Sequence, residues 1–238
     1  MGELPNRIEL KAEAVRTALA AAVRTHGRVV YANSLGAEAM VLTDIIWTHV
    51  PEIEIFSIDT GRLHQETYDL IEKLQWRYRR TLRLVHPRAE ALERFTTERG
   101  VNGFYHSLEA RLSCCEVRKV EPFKRAIAGY AAWVTGVRRE QSSARALAQP
   151  LEWDEQYGLY KVSPLLEWSE AEIWQYIRER KLPYNVLHDR QFPSIGCAPC
   201  TRAIQPGESH RAGRWWWEQP ESRECGLHPR VRAVAAEA

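Results

Sequence analysis

The chain has 238 residues, and its 33 lysines and arginines nearly balance 31 aspartates and glutamates, which leaves a formal net charge of +2. Hydrophobic residues make up 45% of it, so a single α/β domain of this length can bury a full core. The balance excludes a strongly basic nucleic-acid-binding protein, an acidic disordered chain and a low-complexity chain. No apolar run reaches the roughly 18 residues of a membrane span, and charged residues such as Glu9 and Lys11 occupy the region of a secretory signal. We therefore expect a cytoplasmic protein with neither a membrane nor a nucleic-acid partner.

The predicted elements alternate between helix and strand. Apolar residues at helical spacing predict a first helix over 8–26, which ends before Gly27. Short apolar runs predict strands at 29–32, 53–58, 82–85 and 131–134. Helical patterns follow at 37–50, 64–77, 88–99 and 108–129. This alternation predicts an α/β fold with a doubly wound, mostly parallel sheet.

The composition changes near residue 184. Beyond it, proline, glycine, arginine and tryptophan become frequent and no regular periodicity survives. The run Trp215-Trp216-Trp217 argues against a disordered tail. We therefore divide the chain into an α/β domain at 1–183 and an irregular C-terminal segment at 184–238, which ends in a mobile tip around Cys225.

Five cysteines, an odd number, argue against a disulfide framework. Cys114 and Cys115 are adjacent, Cys197 and Cys200 form a C-x-x-C motif, and Cys225 stands alone. Thiolates from two distant segments can close a four-sulfur site for structural zinc or for an iron–sulfur cluster. The side chains of adjacent cysteines leave the backbone in different directions, which favours a bulky iron–sulfur cluster over a single zinc ion. The spacing of the cysteines alone does not decide between iron and zinc. In the simplest alternative, Cys114 and Cys115 are ordinary buried residues.

Cys225 has two interpretations, an exposed terminal cysteine without a role or a reactive thiol. Basic residues surround it in the sequence, namely Arg211, Arg214, Arg223 and His228. Positive charge lowers the pKa of a thiol and stabilises the reactive thiolate, and Gly226 gives freedom of approach. These features favour a reactive thiol.

Glycine loops and cations follow the predicted strands. In a parallel sheet, ligands bind where the carboxyl ends of strands lead into helix N-termini. The candidate ligand-binding residues at these ends are Ser34, Gly36, Thr60, Gly136, Arg138, Arg139 and Arg145. Together they predict a site for an anionic, nucleotide-like ligand, with at least one of the three arginines expected to be an ordinary surface charge.

The cysteine segments resemble those of a known family. The segment from Cys114 to Phe123 resembles the C-C-x-x-R-K-x-x-P motif of assimilatory adenylyl-sulfate (APS) reductases. Gly196-Cys197-Ala198-Pro199-Cys200-Thr201 is similar to the second half of their cluster motif. The sequences RWWWE at 214–218 and ECGLH at 224–228 complete the match in order. The resemblance runs from about Ser34 to His228.

The resemblance implies a fold like that of the adenine nucleotide α-hydrolases, with a nucleotide-binding domain that carries the first half of the cluster motif. It implies a [4Fe–4S] cluster on Cys114, Cys115, Cys197 and Cys200. It implies that Lys119 links cluster to substrate and that Arg211 and Arg214 close over the phosphosulfate.

The resemblance also implies a reaction for Cys225. This residue would attack the sulfur of APS, release AMP and become an S-sulfocysteine. Thioredoxin, or a glutaredoxin-like reductant, would then free sulfite.

Several alternatives stay open at this point. Related reductases of the 3′-phosphorylated substrate PAPS lack the four cluster cysteines, which favours APS, but a PAPS or dual-specificity reductase is the close alternative. An ATP pyrophosphatase is disfavoured because the chain lacks an S-G-G-x-D-S type of loop. A zinc-stabilised nucleic-acid-binding module is disfavoured by the near-neutral charge. The sequence leaves the oligomeric state open, a homo-oligomer included.

Overall fold

The computed structural model describes residues 6–141, 145–219, 223 and 226–227. The strands are β1 (Val29–Asn33), β2 (Glu54–Ile58), β3 (Arg83–Val85), β4 (Ala132–Val134), β5 (Leu151–Asp154) and β6 (Leu159–Val162). They form one six-stranded sheet in the order β3-β2-β1-β4-β6-β5. All neighbours from β3 to β6 run parallel, and β5 runs antiparallel to β6 at the edge. The predicted mostly parallel sheet is confirmed, and β5 and β6 are strands that the sequence analysis missed.

Helices cover both faces of this sheet. They are α1 (Arg7–His26), α2 (Ala37–His49), α3 (Gln65–Tyr78), α4 (Ala89–Arg99), α5 (Leu108–Cys115), α6 (Glu121–Ile127) and α7 (Glu170–Glu179). Asn6 caps α1 through its side chain, and Gly27 ends it at a φ of 71°. The additional helix α7 begins with a capping box between Ser169 and Glu172.

The predicted helix over 108–129 is interrupted between α5 and α6. Residues Glu116–Val120 form a π-helical turn, in which the N–H of Glu121 bonds the carbonyl oxygen of Glu116. Pro122 has no N–H to donate to the carbonyl of Arg118, so the regular α-helical hydrogen-bond pattern is interrupted at this point. The wider turn follows directly after Cys115 and carries Lys119.

The core divides into two layers because alternate residues of each strand face opposite sides of the sheet. Tyr31 belongs to the larger cluster, which packs α1, α2, α3 and α7 on one face. Val30 belongs to a smaller cluster on the other face, where Phe123 of α6 meets Phe56 and Trp133. This two-sided burial is the doubly wound arrangement that the alternating pattern predicts.

The C-terminal segment is irregular as far as the structure describes it. Beyond α7 it contains short 3-10 turns at Val186–Arg190 and Ala198–Cys200 and an isolated bridge between Thr201 and Arg214. It packs on the rest of the molecule, since the N–H of Ala198 donates to the carbonyl of Arg62 at 2.8 Å. The division at residue 183 stays a prediction. Among the described residues, no helix has the length and apolar character to cross a membrane.

Candidate functional site

A cavity of about 250 Å³ opens at the carboxyl ends of β1, β2 and β4. Ser34 and Gly36 line it after β1, Thr60 lines it after β2, and Gly136 lines it after β4. The parallel topology therefore brings these predicted loop residues together at one edge of the sheet.

The loop after β1 is held in an unusual shape. Asn33 is buried, and its amide oxygen accepts a hydrogen bond from the N–H of Leu35 at 2.7 Å while its amide nitrogen donates to Thr43 at 2.7 Å. Leu35 adopts a φ of 59°, in the left-handed region that side chains other than glycine rarely occupy. This geometry presents Ser34 and Gly36 at the N-terminus of α2, a favourable position for an anionic group.

Four of the predicted basic residues line this cavity: Lys119, Arg145, Arg211 and Arg214. Their charges make the cavity suited to an anionic ligand. Arg145 hydrogen-bonds Gln141, and Arg211 donates to the carbonyl oxygen of Arg223 at 3.0 Å. Residues 142–144, between Gln141 and Arg145, lie outside the described part of the chain.

Arg138 and Arg139, which the sequence analysis predicted to bind the ligand, form ion pairs with carboxylates in the structure. The described residues that line the cavity include neither of them. The buried Arg138 guanidinium donates to the carboxylate of Glu38 at 2.8 Å, and Arg139 pairs with Glu167 at 2.6 Å. Arg138 thus orders Glu38, which itself lines the cavity and also accepts from Gln141 at 2.9 Å. The pairing joins residues 100 positions apart, and no local sequence pattern signals it.

The position of the Arg214 side chain depends on Gly196. A Cβ atom at Gly196 would lie 2.3 Å from Nη2 of Arg214, so no larger residue fits there without moving the guanidinium. Nη1 of Arg214 lies 3.3 Å from the hydroxyl of Ser194 and from the carbonyl of Ile195, and the guanidinium stacks 4.6 Å from the ring of Trp215.

Cys114, Cys115, Cys197 and Cys200 meet in a buried cluster with Phe104 and Trp215. A second, small cavity lies between them and is lined by all four cysteines. Lys119, Arg214 and Trp215 line both this cavity and the larger one. The cysteine site and the anion site are therefore neighbours that share two cations.

The cysteine site lies in a strongly cationic environment. Arg62, Arg111, Arg118, Lys119 and Arg214 line its cavity. Burial, with Cys197 nearby, raises the pKa of the Cys200 thiol to about 12, and burial also raises the pKa of the Cys114 thiol although Arg118 opposes it. The chain alone thus favours neutral thiols, and a bound group that needs thiolates must displace their protons.

The cavity lined by the four cysteines is small, about 20 Å³. Within the described part of the chain, no group of three or more histidine, cysteine, aspartate or glutamate side chains is placed to hold a single metal ion.

Donors toward a sulfur-rich group are also present. Thr60 Oγ1 lies 3.2 Å from Cys197 Sγ, and Nε1 of Trp215 and Nε of Arg118 are buried without a hydrogen-bond partner among the described residues. Such N–H groups are suited to sulfur acceptors.

Cys225 lies outside the described residues, but neighbours on both sides of it are described. The carbonyl oxygen of Arg223 accepts a hydrogen bond at 3.0 Å from Arg211, which lines the large cavity. Leu227 lines the large cavity. The chain on either side of position 225 is therefore attached to the site.

The fold and the site define an α/β protein with a doubly wound, mostly parallel sheet, a cationic cavity at its strand ends and an adjoining four-cysteine centre. Among solved structures, a phosphoadenylyl-sulfate (PAPS) reductase from Candida auris, in a phosphate complex, aligns with a TM-score of 0.68 and 27% identity. That alignment covers 86% of this chain and 99% of the other. FMN adenylyltransferase from Candida glabrata shares the fold alone, with a TM-score of 0.57 and 14% identity over 94% of this chain and 77% of the other.

The chain belongs to the phosphoadenosine phosphosulfate reductase domain family, whose match covers residues 28–203. An adenosine 5′-phosphosulfate reductase of Allochromatium vinosum is 54% identical over 85% of this chain and 79% of its own. A protein of the same name from Burkholderia cepacia is 48% identical over 94% of this chain and 90% of its own.

Proposed function

We propose that this chain reduces adenosine 5′-phosphosulfate to sulfite and AMP in assimilatory sulfate reduction. The observation that carries the proposal is the sharing of Lys119 and Arg214 between the anion cavity and the four-cysteine site. The names of relatives that are 54% and 48% identical support it.

The cavity supplies what this substrate needs. The loops at Ser34–Gly36 and Gly136 would hold the nucleotide, and the cations would neutralise the phosphosulfate. Sulfur in a phosphosulfate becomes open to attack when charge on the leaving phosphate is neutralised. We assign that task to Lys119, Arg211 and Arg214, and Arg145 lines the same cavity beside Gln141.

The nucleophile in this proposal is Cys225. Its thiolate forms an S–S bond with the sulfur of APS, the S–O bond to the phosphate breaks, and the electron pair leaves with AMP. The product on the chain is an S-sulfocysteine.

A dithiol protein of the thioredoxin or glutaredoxin-like class completes the cycle. One of its thiolates attacks Sγ of Cys225 and sulfite leaves. Its second thiol then resolves the mixed disulfide, so that the reductant is oxidised and the Cys225 thiol is restored.

We further propose that Cys114, Cys115, Cys197 and Cys200 hold a [4Fe–4S] cluster. The donor set, the shared cavity and the buried N–H groups of Trp215 and Arg118 support this assignment. When bound, such a cluster would add a compact charge distribution to the site that Lys119 lines, without a change of oxidation state. The chain's own contribution is to hold Lys119 on the π-helical turn between the two cavities.

The proposal is tested by measuring sulfite and AMP release from APS with reduced thioredoxin present, on protein purified anaerobically. PAPS at equal concentration is the matched comparison, because the family name and the Candida auris neighbour both refer to that substrate. We expect APS to be consumed in preference. Preferential consumption of PAPS would establish the alternative specificity, and consumption of neither would overturn the proposal.

A further inference from the structure

The turn between β5 and β6, at residues 155–158, reaches the chain that follows Cys225. The side-chain amide of Gln156 donates to the carbonyl oxygen of Gly226 at 2.9 Å and to the hydroxyl oxygen of Tyr157 at 2.9 Å. The hydroxyl of Tyr157 in turn donates to the carbonyl oxygen of Leu227 at 3.3 Å. Two adjacent side chains therefore hold two adjacent carbonyls of the tail.

The Tyr157 ring is itself fixed by the sheet. Its centroid lies 4.8 Å from that of Phe123 and 6.2 Å from that of Trp133. Leu227 packs against the same apolar cluster and also lines the large cavity. The ring of Tyr157 is therefore held by packing, and its hydroxyl points toward the chain at residues 226–227.

Gly226 adds a conformational constraint. Its φ of 81° lies in the left-handed region, and a Cβ atom there would be 3.8 Å from a methyl carbon of Val120. Val120 follows Lys119 directly in the π-helical turn. The residue covalently bonded to Cys225 therefore lies beside the turn that carries the shared lysine.

We propose that Gln156 and Tyr157 are positioning residues for the nucleophile. By holding the carbonyls of Gly226 and Leu227 they fix the chain that directly follows the nucleophile while the Cys225 thiolate forms the S–S bond and AMP leaves. This inference rests on the proposed function, in which Cys225 attacks APS. The contacts hold main-chain atoms, so they act on the placement of the tail and not on the nucleotide.

Each contact contributes modestly, because hydrogen bonds near the surface are worth on the order of 1 kcal/mol, which corresponds to roughly fivefold in a rate or equilibrium. Since Gln156 makes one of its bonds to Tyr157, the two residues are expected to act as one unit. The double variant should therefore be slowed by less than the product of the two single effects.

The test is single-turnover sulfonation of the full-length, cofactor-loaded protein by APS without reductant, followed by intact mass. We expect Gln156→Ala, Gln156→Glu and Tyr157→Phe each to slow sulfonation about three- to tenfold. Gln156→Glu keeps the shape but removes the donor, and Tyr157→Phe keeps the ring. Equilibrium binding of AMP should not change, nor should discharge of the preformed S-sulfocysteine by thioredoxin. A structural defect would disturb these two readouts as well.

Gln175→Ala serves as the matched control, because Gln175 lies on α7 and donates to Glu179 instead. Sulfonation at the parent rate in both Gln156→Ala and Tyr157→Phe would overturn the positioning role. If the variants weakened AMP binding as much as they slowed sulfonation, the positioning role would also be overturned, because the substitutions would then affect the whole cavity. Failure of the proposed function looks different, since either the parent would not be sulfonated at all or Cys225→Ser would be sulfonated like the parent.

Discussion

Arg111 and Glu218 form an ion pair that is almost removed from water. The side chain of Arg111 is 0% exposed and that of Glu218 is 6% exposed, and two parallel hydrogen bonds of 2.8 and 2.7 Å join them. The guanidinium also stacks 4.7 Å from the ring of Trp215. The pair thus fixes the tryptophan run next to the cysteine site.

Glu218→Ala should destabilise the protein by about 3–5 kcal/mol, because it leaves a buried guanidinium without its carboxylate. Chemical denaturation followed by circular dichroism measures this loss. Glu208→Ala is the matched control, since Glu208 makes the same two-bond contact with Arg202 on the surface, with bonds of 2.8 and 2.7 Å. A loss no larger than in this control would show that the Arg111 pair is not the structural support inferred here.

Gly196→Ala should displace the guanidinium of Arg214, with which the new Cβ would collide. We expect a loss of about tenfold in kcat/KM for APS, or ~1.4 kcal/mol, without loss of the fold. Because the effect passes through Arg214, adding Gly196→Ala to Arg214→Ala should cost little more than Arg214→Ala alone. If the losses in kcat/KM from Gly196→Ala and Arg214→Ala were additive in the double variant, Gly196→Ala would not act through Arg214.

Residue by residue, the sequence predicted the polar loops and the cysteines, but it did not reveal where each arginine points. Arg138 and Arg145 follow the same strand, and only the folded chain shows that Arg138 turns to Glu38 while Arg145 lines the cavity. Such choices depend on partners that are distant in sequence, so no local pattern contains them.

At the scale of elements, hydrophobic periodicity predicted the first four strands and the helices α1 to α4 closely. The sequence analysis missed the edge hairpin because β5 alternates apolar with acidic residues and a buried lysine, Lys161, interrupts the apolar run of β6. Its charge is satisfied by Glu152 at 2.7 Å, a contact across the hairpin. The helix α7 did carry a signal, the capping box from Ser169 to Glu172.

The π-helical turn connects the four-cysteine site with the anion cavity, because it follows Cys115 directly and carries Lys119. Pro122 is visible in the sequence as a break, but a missing N–H alone does not distinguish a kink, a helix end and a wider turn. The shared lining of the two cavities therefore could not be predicted from spacing.

The four-cysteine site leads to a prediction about the metal content of the protein. Anaerobically purified protein should be brown and contain about four irons and four acid-labile sulfides per chain, as a [4Fe–4S] cluster requires. Cys197→Ala should lose the colour and the iron. Iron and sulfide analysis with zinc measured in parallel checks this, and a colourless protein with stoichiometric zinc would refute the cluster.

For the whole molecule, the near-neutral net charge of +2 conceals an uneven distribution. Lys119, Arg145, Arg211 and Arg214 converge on one cavity, while many other arginines are paired with carboxylates elsewhere. Of these four, Arg145 follows β4, Lys119 lies in the π-helical turn, and Arg211 and Arg214 come from the C-terminal segment. The described neighbours of Cys225, Arg223 and Leu227, are attached at the same place.

The intact mass of the chain after incubation with APS, without any reductant, tests the central claim most directly. The account predicts that the parent protein gains one sulfonate group, released again as sulfite when thioredoxin is added. Cys225→Ser should gain none while it keeps its iron and binds AMP. Sulfite release without a sulfonated parent chain, or a sulfonate on Cys225→Ser, would contradict the account.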